Sequence, residues 1–154
     1  MGMHHDGAPF SLSAIDIEVR RRIWWTLCLI DNCISEDCGL ESNIPMTMDT
    51  RLPLHINDSD IGTIHTIAPA PKTGFTEMTM SLIKIEMVET ILILKFSLYR
   101  KCRYSIEDIK TLVRERTSRY ESTYLKHLDT SLPLHRLIYL RTRLIIAKDR
   151  KSVV

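Results

Sequence analysis

The stretch Leu82-Ile83-Lys84-Ile85-Glu86-Met87-Val88-Glu89-Thr90-Ile91-Leu92-Ile93-Leu94-Lys95-Phe96-Ser97-Leu98 is the most apolar in the chain, and its spacing decides the fold class. Ile83, Met87, Ile91, Leu94 and Leu98 recur at helical spacing and share one face. Leu82, Ile85, Leu92, Phe96 and Tyr99 fill the face beside it. A helix that is apolar around most of its girth belongs in the middle of a helical core. Lys84, Glu86, Glu89 and Lys95 interrupt the run, so it reads as a core helix over about 76–101 and not as a membrane span.

Working outward, the segment 39–75 holds Pro45, Pro53, Pro69, Pro71, Gly62 and Gly74, a density of breakers that excludes a long regular element. A loop of this length inside a compact domain usually has a specific role. Before it, Ile15, Val19, Ile23, Thr26 and Ile30 predict a helix over 15–38, with that stripe buried and Trp24, Leu27, Cys28 and Ile34 widening it. Ser13 or Asp16 suits its N-terminus and Gly39 its end. After the central helix, Ser105-Ile106-Glu107-Asp108 resembles a capping box and opens a helix over 106–128, with Ile109, Leu112, Val113, Tyr120 and Tyr124 inward. Pro133 suits the first turn of a last helix running to about Lys148 on Leu134, Leu137, Ile138, Leu140, Arg141, Leu144 and Ile145. There is no internal repeat and no sustained strand alternation. The fold class expected is all-α: an irregular bundle of about four helices, with a long Pro-rich loop after the first. Residues 1–148 form one domain and 149–154 a tail.

The 154 residues suffice for one domain with a sizeable core. Twenty-one basic residues face nineteen acidic ones, a net charge of +2, so charge alone favours neither nucleic acid nor membrane. Cys28, Cys33 and Cys38 step by five along one helix, which turns each about 140° from the last and keeps them from converging on one metal ion. With Cys102 they are read as small reduced thiols of an intracellular protein. The N-terminus has neither the basic start nor the apolar run of a signal peptide. Gly2 invites myristoylation, but Asp6 stands where that motif needs Ser or Thr.

The search for reactive groups yields no catalytic, cofactor-binding or metal-binding assignment. His4-His5-Asp6 is the nearest approach to a metal or acid–base cluster. Adjacent histidines in an extended segment point opposite ways, so a solvated or locally bonded segment is expected. His127 and His135 flank a helix break without a spaced partner and read as structural. No Gly-x-Ser-x-Gly turn or glycine-rich phosphate loop is present. Asp49-Thr50-Arg51 and Asn57-Asp58-Ser59-Asp60 superficially suggest calcium, but the second cluster lacks the central Gly and terminal Glu of a helix–loop–helix site. Asx turns explain these clusters better. Arg20-Arg21-Arg22 before Trp24-Trp25 joins basic and aromatic groups, as nucleic-acid surfaces do. On a helix successive arginines splay apart, and the reading favoured is salt bridging and packing.

Taken together these blocks resemble the middle homology region of fungal zinc-cluster transcription factors. Gly2-Met3-His4-His5-Asp6-Gly7, Glu18-Val19-Arg20-Arg21-Arg22-Ile23-Trp24-Trp25 and Asp31 are similar to that region's opening block. Arg51-Leu52-Pro53-Leu54-His55-Ile56-Asn57-Asp58-Ser59-Asp60-Ile61 looks like its proline-containing loop, and Gly74-Phe75-Thr76-Glu77-Met78 like the helix start that follows. Tyr124-Leu125, Asp129, Pro133-Leu134-His135 and Ala147-Lys148 resemble its later segment. The blocks stand in family order and cover nearly the whole chain. His5 departs from the family's usual Arg, and His55 stands close to where the family commonly has Asn.

The resemblance implies a helical regulatory domain of a nuclear protein acting on transcription. The family's six-cysteine zinc module normally lies upstream, and the four cysteines here cannot build it. The expectation is an internal piece of such a factor, reaching DNA only through a missing zinc-cluster module, with no cofactor and no membrane role. Protein partners, or homo-oligomers formed through apolar surface left by missing neighbours, follow from that view. A small-molecule-sensing helical module, with the loop over a pocket, is the alternative, beside a non-functional remnant. An enzyme is the third hypothesis and lacks a convergent polar set.

Overall fold

The computed structural model describes residues 2–61, 69–99 and 104–152. All regular structure among the described residues is helical. The long helices are α1 (Ala14–Cys38), α3 (Thr79–Tyr99), α4 (Ile106–Thr123) and α5 (Pro133–Ser152), and the one-turn α2 (Asp58–Ile61) lies in the loop after α1. The all-α class, the four long helices and the loop after the first are therefore as the sequence predicts.

The helix ends follow local chemistry. The Ser13 hydroxyl accepts the Asp16 N–H at 3.1 Å and donates to the Asp16 carboxylate at 2.6 Å, closing the first turn of α1. Gly39 ends α1 in the left-handed region (φ 65°), where a Cβ would strain the backbone, and its N–H reaches the Ser35 carbonyl. Ser105 and Asp108 form the full reciprocal capping box of α4. Pro133 opens α5, where its missing N–H costs no hydrogen bond.

The chain divides into two compact units. The first comprises Met1–Lys72 and Thr76–Leu92, the second Thr73–Phe75 and Ile93–Val154. In the first, Trp25, Ile56, Leu82, Ile85, Val88 and Leu92 are buried. Burial around several sides of α3 is what its all-round apolar pattern predicts. In the second, α4 packs on α5 with Tyr120, Tyr124, Ile138, Thr142 and Ile146 buried, and an Arg143–Glu121 ion pair (2.7 Å) joins the two helices. The cut between units also separates charge: the first unit holds six Lys and Arg against thirteen Asp and Glu, the second fifteen against six.

The inward face of α1 differs from expectation. Ile15 is half-buried and Val19, Ile23, Thr26 and Ile30 are exposed, as are Leu27 and Ile34. The buried face is Glu18, Trp25, Cys28, Asn32 and Ser35. That stripe keeps helical spacing, but most of it is polar, because the loop it supports offers backbone groups that need partners. In α5 likewise, Ile138, Thr142 and Ile146 are inside while Leu134, Leu137, Leu140 and Leu144 face outward.

Candidate functional site

The densest chemistry lies where the N-terminal segment and the loop after α1 meet α1 and the start of α3. Here the loop has no ladder of its own, so side chains from both helices supply what its backbone lacks. Asp6 is the first anchor. Its carboxylate takes a forked pair of bonds from Arg21 (2.8 and 2.9 Å) and accepts the N–H groups of Ala8 (3.1 Å) and Arg51 (3.0 Å). Its own N–H donates to Asp49 at 2.8 Å. The Arg21 hydrogen bonds, backed by the Ala8 and Arg51 N–H groups, outweigh the desolvation that opposes them and hold the carboxyl at about 2, below its ordinary 3.8. Arg20 donates to the carbonyls of His5 and Gly2, tying the same segment down from the next position.

Glu18 is the second anchor and is 1% exposed. It accepts Arg22 Nε at 2.9 Å, and both of its oxygens receive the Leu54 N–H, at 3.2 and 3.1 Å. Arg22 continues to Asp58 at the start of α2. Trp25 is buried and its indole N–H donates to the Arg51 carbonyl at 2.9 Å. Asp31 accepts the Ser42 hydroxyl and the Asn43 N–H just past the end of α1.

Toward α3 the wiring continues through His55, whose ring lies 3.0 Å from the Lys72 carbonyl at Nδ1 and 3.0 Å from the Thr79 hydroxyl at Nε2. The Thr79 hydroxyl also accepts the Thr76 N–H (2.9 Å) at the entrance to α3. Glu77 ties to two consecutive residues: its N–H donates to the Asn57 side chain (3.1 Å), and its carboxylate accepts the Asp58 N–H (2.7 Å). Asp60 accepts the Asn57 N–H and pairs with Lys72, whose hydrogen bond lowers the Asp60 pKa.

The suspected calcium ligands have local partners, though not through the expected Asx turn: the Asp60 carboxylate reaches back to the Asn57 N–H three residues earlier, the Asp60 N–H donates to the Asn57 carbonyl (3.0 Å), and Asp49 accepts the Asp6 N–H. Arg20, Arg21 and Arg22 are committed to salt bridges and carbonyls, as the helical reading predicts. The histidine pair departs from expectation. Met3–His5 lie in a turn closed by His5 N–H to Gly2 carbonyl (3.2 Å) and are not extended, so the rings of His4 and His5 lie 4.0 Å apart on one side. His5 Nδ1 is 3.4 Å from Asp49. Among the described residues no group of three or more His, Cys, Asp and Glu is placed to hold a metal ion. His135 accepts the Asp129 N–H and stacks on Phe75 at 4.3 Å, a structural role. Cys28 is buried, and burial pushes its thiol up to about 12, which makes it unreactive. Cys33 and Cys38 are exposed, facing other directions as their spacing requires, and Cys102 lies outside the described residues.

The spacing arguments missed the links among His55, Thr76 and Thr79, and they left Glu18, Asn32 and Ser35 out of the inward face of α1. The last three share a stripe with Trp25 and Cys28, a signal hidden by reading only apolar residues as inward. No helix among the described residues is long and apolar enough to cross a membrane.

The residues that build this clamp are those that carry the family resemblance, and comparison with known proteins agrees. The fungal specific transcription factor domain matches residues 1–131. The aurofusarin cluster transcription factor aurR2 of Gibberella zeae is 27% identical over 99% of this chain, and the transcriptional regulator AacuB of Aspergillus aculeatus 27% over 97%. The C6 finger domain transcription factor hasF of Aspergillus fumigatus is 28% identical over 88%. The chain spans 24%, 21% and 21% of these relatives' lengths. No solved structure matches. The match over most of the chain, the order of the blocks and the shared use of their residues in one clamp establish that the chain belongs to the fungal specific transcription factor domain family.

Proposed function

We propose that this chain is a regulatory-domain segment of a fungal transcription regulator, working in the nucleus through protein or effector contacts and not as an enzyme. One observation carries the reading. The motif residues are spent internally, on the loop's own backbone, and the outward faces of α1 and α5 are left apolar. Leu134, Leu137, Leu140 and Leu144 of α5 are 52–70% exposed. Apolar faces of this kind mark contact surfaces. DNA is reached through a zinc-cluster module outside this segment, as the C6 finger in the description of hasF suggests.

The test is a reporter assay in a fungal host, with the whole chain fused to an unrelated DNA-binding and activating module. The chain is expected to change reporter output, and Leu27→Asp or Leu140→Asp to abolish that change without altering protein level. Output equal to that of the module alone would refute the reading.

The buried Asn32 favours a second reading, effector sensing. Its side-chain carbonyl has no hydrogen-bond partner among the described residues, and a buried unpaired acceptor is a ready point for a ligand donor. A ligand-dependent rise in Tm that Asn32→Leu removes would support it.

A further inference from the structure

We propose that the outward face of α5 takes a short acidic amphipathic helix of a partner protein. The inference names the occupant of one of the faces read above as contact surfaces, and it rests on that reading.

Leu137, Leu140 and Leu144 are 55%, 56% and 70% exposed. Their steps of three and four set them in one ridge, on the side of α5 opposite the buried Ile138, Thr142 and Ile146. Arg136 and Arg141, five residues apart, stand about 140° from each other on the two flanks of that ridge. Both are exposed, and neither guanidinium is in an ion pair or hydrogen bond among the described residues. Arg143, by contrast, is committed to Glu121 of α4. From Pro133 to Lys148 the helix carries no Asp or Glu, so its own sequence there supplies neither arginine with a carboxylate.

The face is thus a hydrocarbon ridge with a free cation on each side. Its complement is a helix with apolar residues at the same steps and a carboxylate on each flank. Ridges at steps of three and four pack into the grooves of a second helix, and arginine meets a carboxylate through two parallel hydrogen bonds. The span from Arg136 to Leu144 is roughly 12 Å, which matches a partner of a few turns. The excess of Lys and Arg in this unit, fifteen against six, draws an anionic partner toward it. Two other anionic partners fit less well. A nucleic-acid backbone laid across both arginines would cover exposed leucines with phosphates. Helices that lie on a lipid surface carry Trp or Phe among their leucines. Tyr139 of α5 is half-buried, with the Arg143 guanidinium 5.3 Å over its ring.

The experiment is fluorescence anisotropy of the full chain with labelled helical peptides at one fixed, near-physiological salt. The acidic peptide has leucines at steps of three and four with glutamates on both flanks. A basic peptide has lysines for the glutamates, and a polar one has serines for the leucines. The acidic peptide is expected to bind about tenfold or more tighter than the other two. Arg136→Glu and Arg141→Glu combined are expected to reverse the preference in favour of the basic peptide. Leu140→Asp is expected to abolish binding of the acidic peptide. The three substituted side chains are exposed, and far-UV circular dichroism checks that each variant folds.

Absence of binding overturns the proposal, as does equal affinity for the acidic and basic peptides, or binding untouched by the arginine reversal. Sedimentation of the chain with phosphatidylserine vesicles that Leu140→Asp prevents assigns the face to a lipid surface and overturns it. Binding of the acidic peptide that falls as chain concentration rises assigns the face to a second copy and overturns it too. In the reporter assay, an effect lost in Leu140→Asp but kept in the arginine reversal leaves the regulatory reading standing and removes only the acidic partner.

Discussion

Asp6 and Glu18 show how single carboxylates hold a segment that has no regular structure. Each takes an arginine from α1 and a backbone N–H from the loop, so removing Asp6 leaves Arg21 and the Arg51 N–H without that acceptor, and removing Glu18 leaves the Leu54 N–H without one and Arg22 with Asp58 alone. Glu18→Ala is expected to destabilise the chain by roughly 1–3 kcal/mol, measured by urea unfolding. Asp6 also makes stability depend on pH. Its folded-state pKa, about 2, lies below its ordinary 3.8, so its contribution is complete above that ordinary value and is lost as pH falls through the folded one. The wild-type Tm is expected to fall more steeply with acidification across that window than that of Asp6→Asn, which starts lower. Equal slopes would show that Asp6 does not carry the effect.

At the scale of the element, α1 carries two opposite faces at helical spacing, and the polar one is buried. Placing the apolar stripe inside is the sound first choice for a helix in water. It failed here because the neighbours of α1 include a loop rich in unpaired backbone groups, and a hydrocarbon face cannot satisfy them. Asn32 is the member of that buried face whose carbonyl is unmatched among the described residues. Asn32→Leu removes the unmatched group and is expected to be neutral or to stabilise by about 1 kcal/mol in urea unfolding. A loss of more than that would show a bond that Asn32 makes in solution. By contrast α3 was legible, since a helix apolar on nearly every side leaves no choice of face. The capping chemistry of α1 and α4 was legible too, because caps depend on a few consecutive residues.

For the whole molecule, the net charge of +2 conceals an excess of seven negative charges in the first unit and nine positive in the second. The chain is expected to bind both anion and cation exchangers at neutral pH and low salt, and to leave each as salt is raised. A chain with evenly mixed charge at this net value would be held weakly by one at most, and that outcome would count against the segregation. The counts were in the sequence all along. They carried no meaning until the contacts showed where one unit stops and the other begins.

The amino-acid order by itself determined the helical class, the four long helices and their caps, the family and the block residues, because periodicity, capping and motif order are local. It did not determine which face of α1 is inside, that His4 and His5 share a side, or that His55 bridges Lys72 to Thr79. Those depend on which backbone groups, distant in sequence, arrive unpaired beside a side chain. Only the folded chain decides that, because a buried donor or acceptor must find its partner wherever the loop passes.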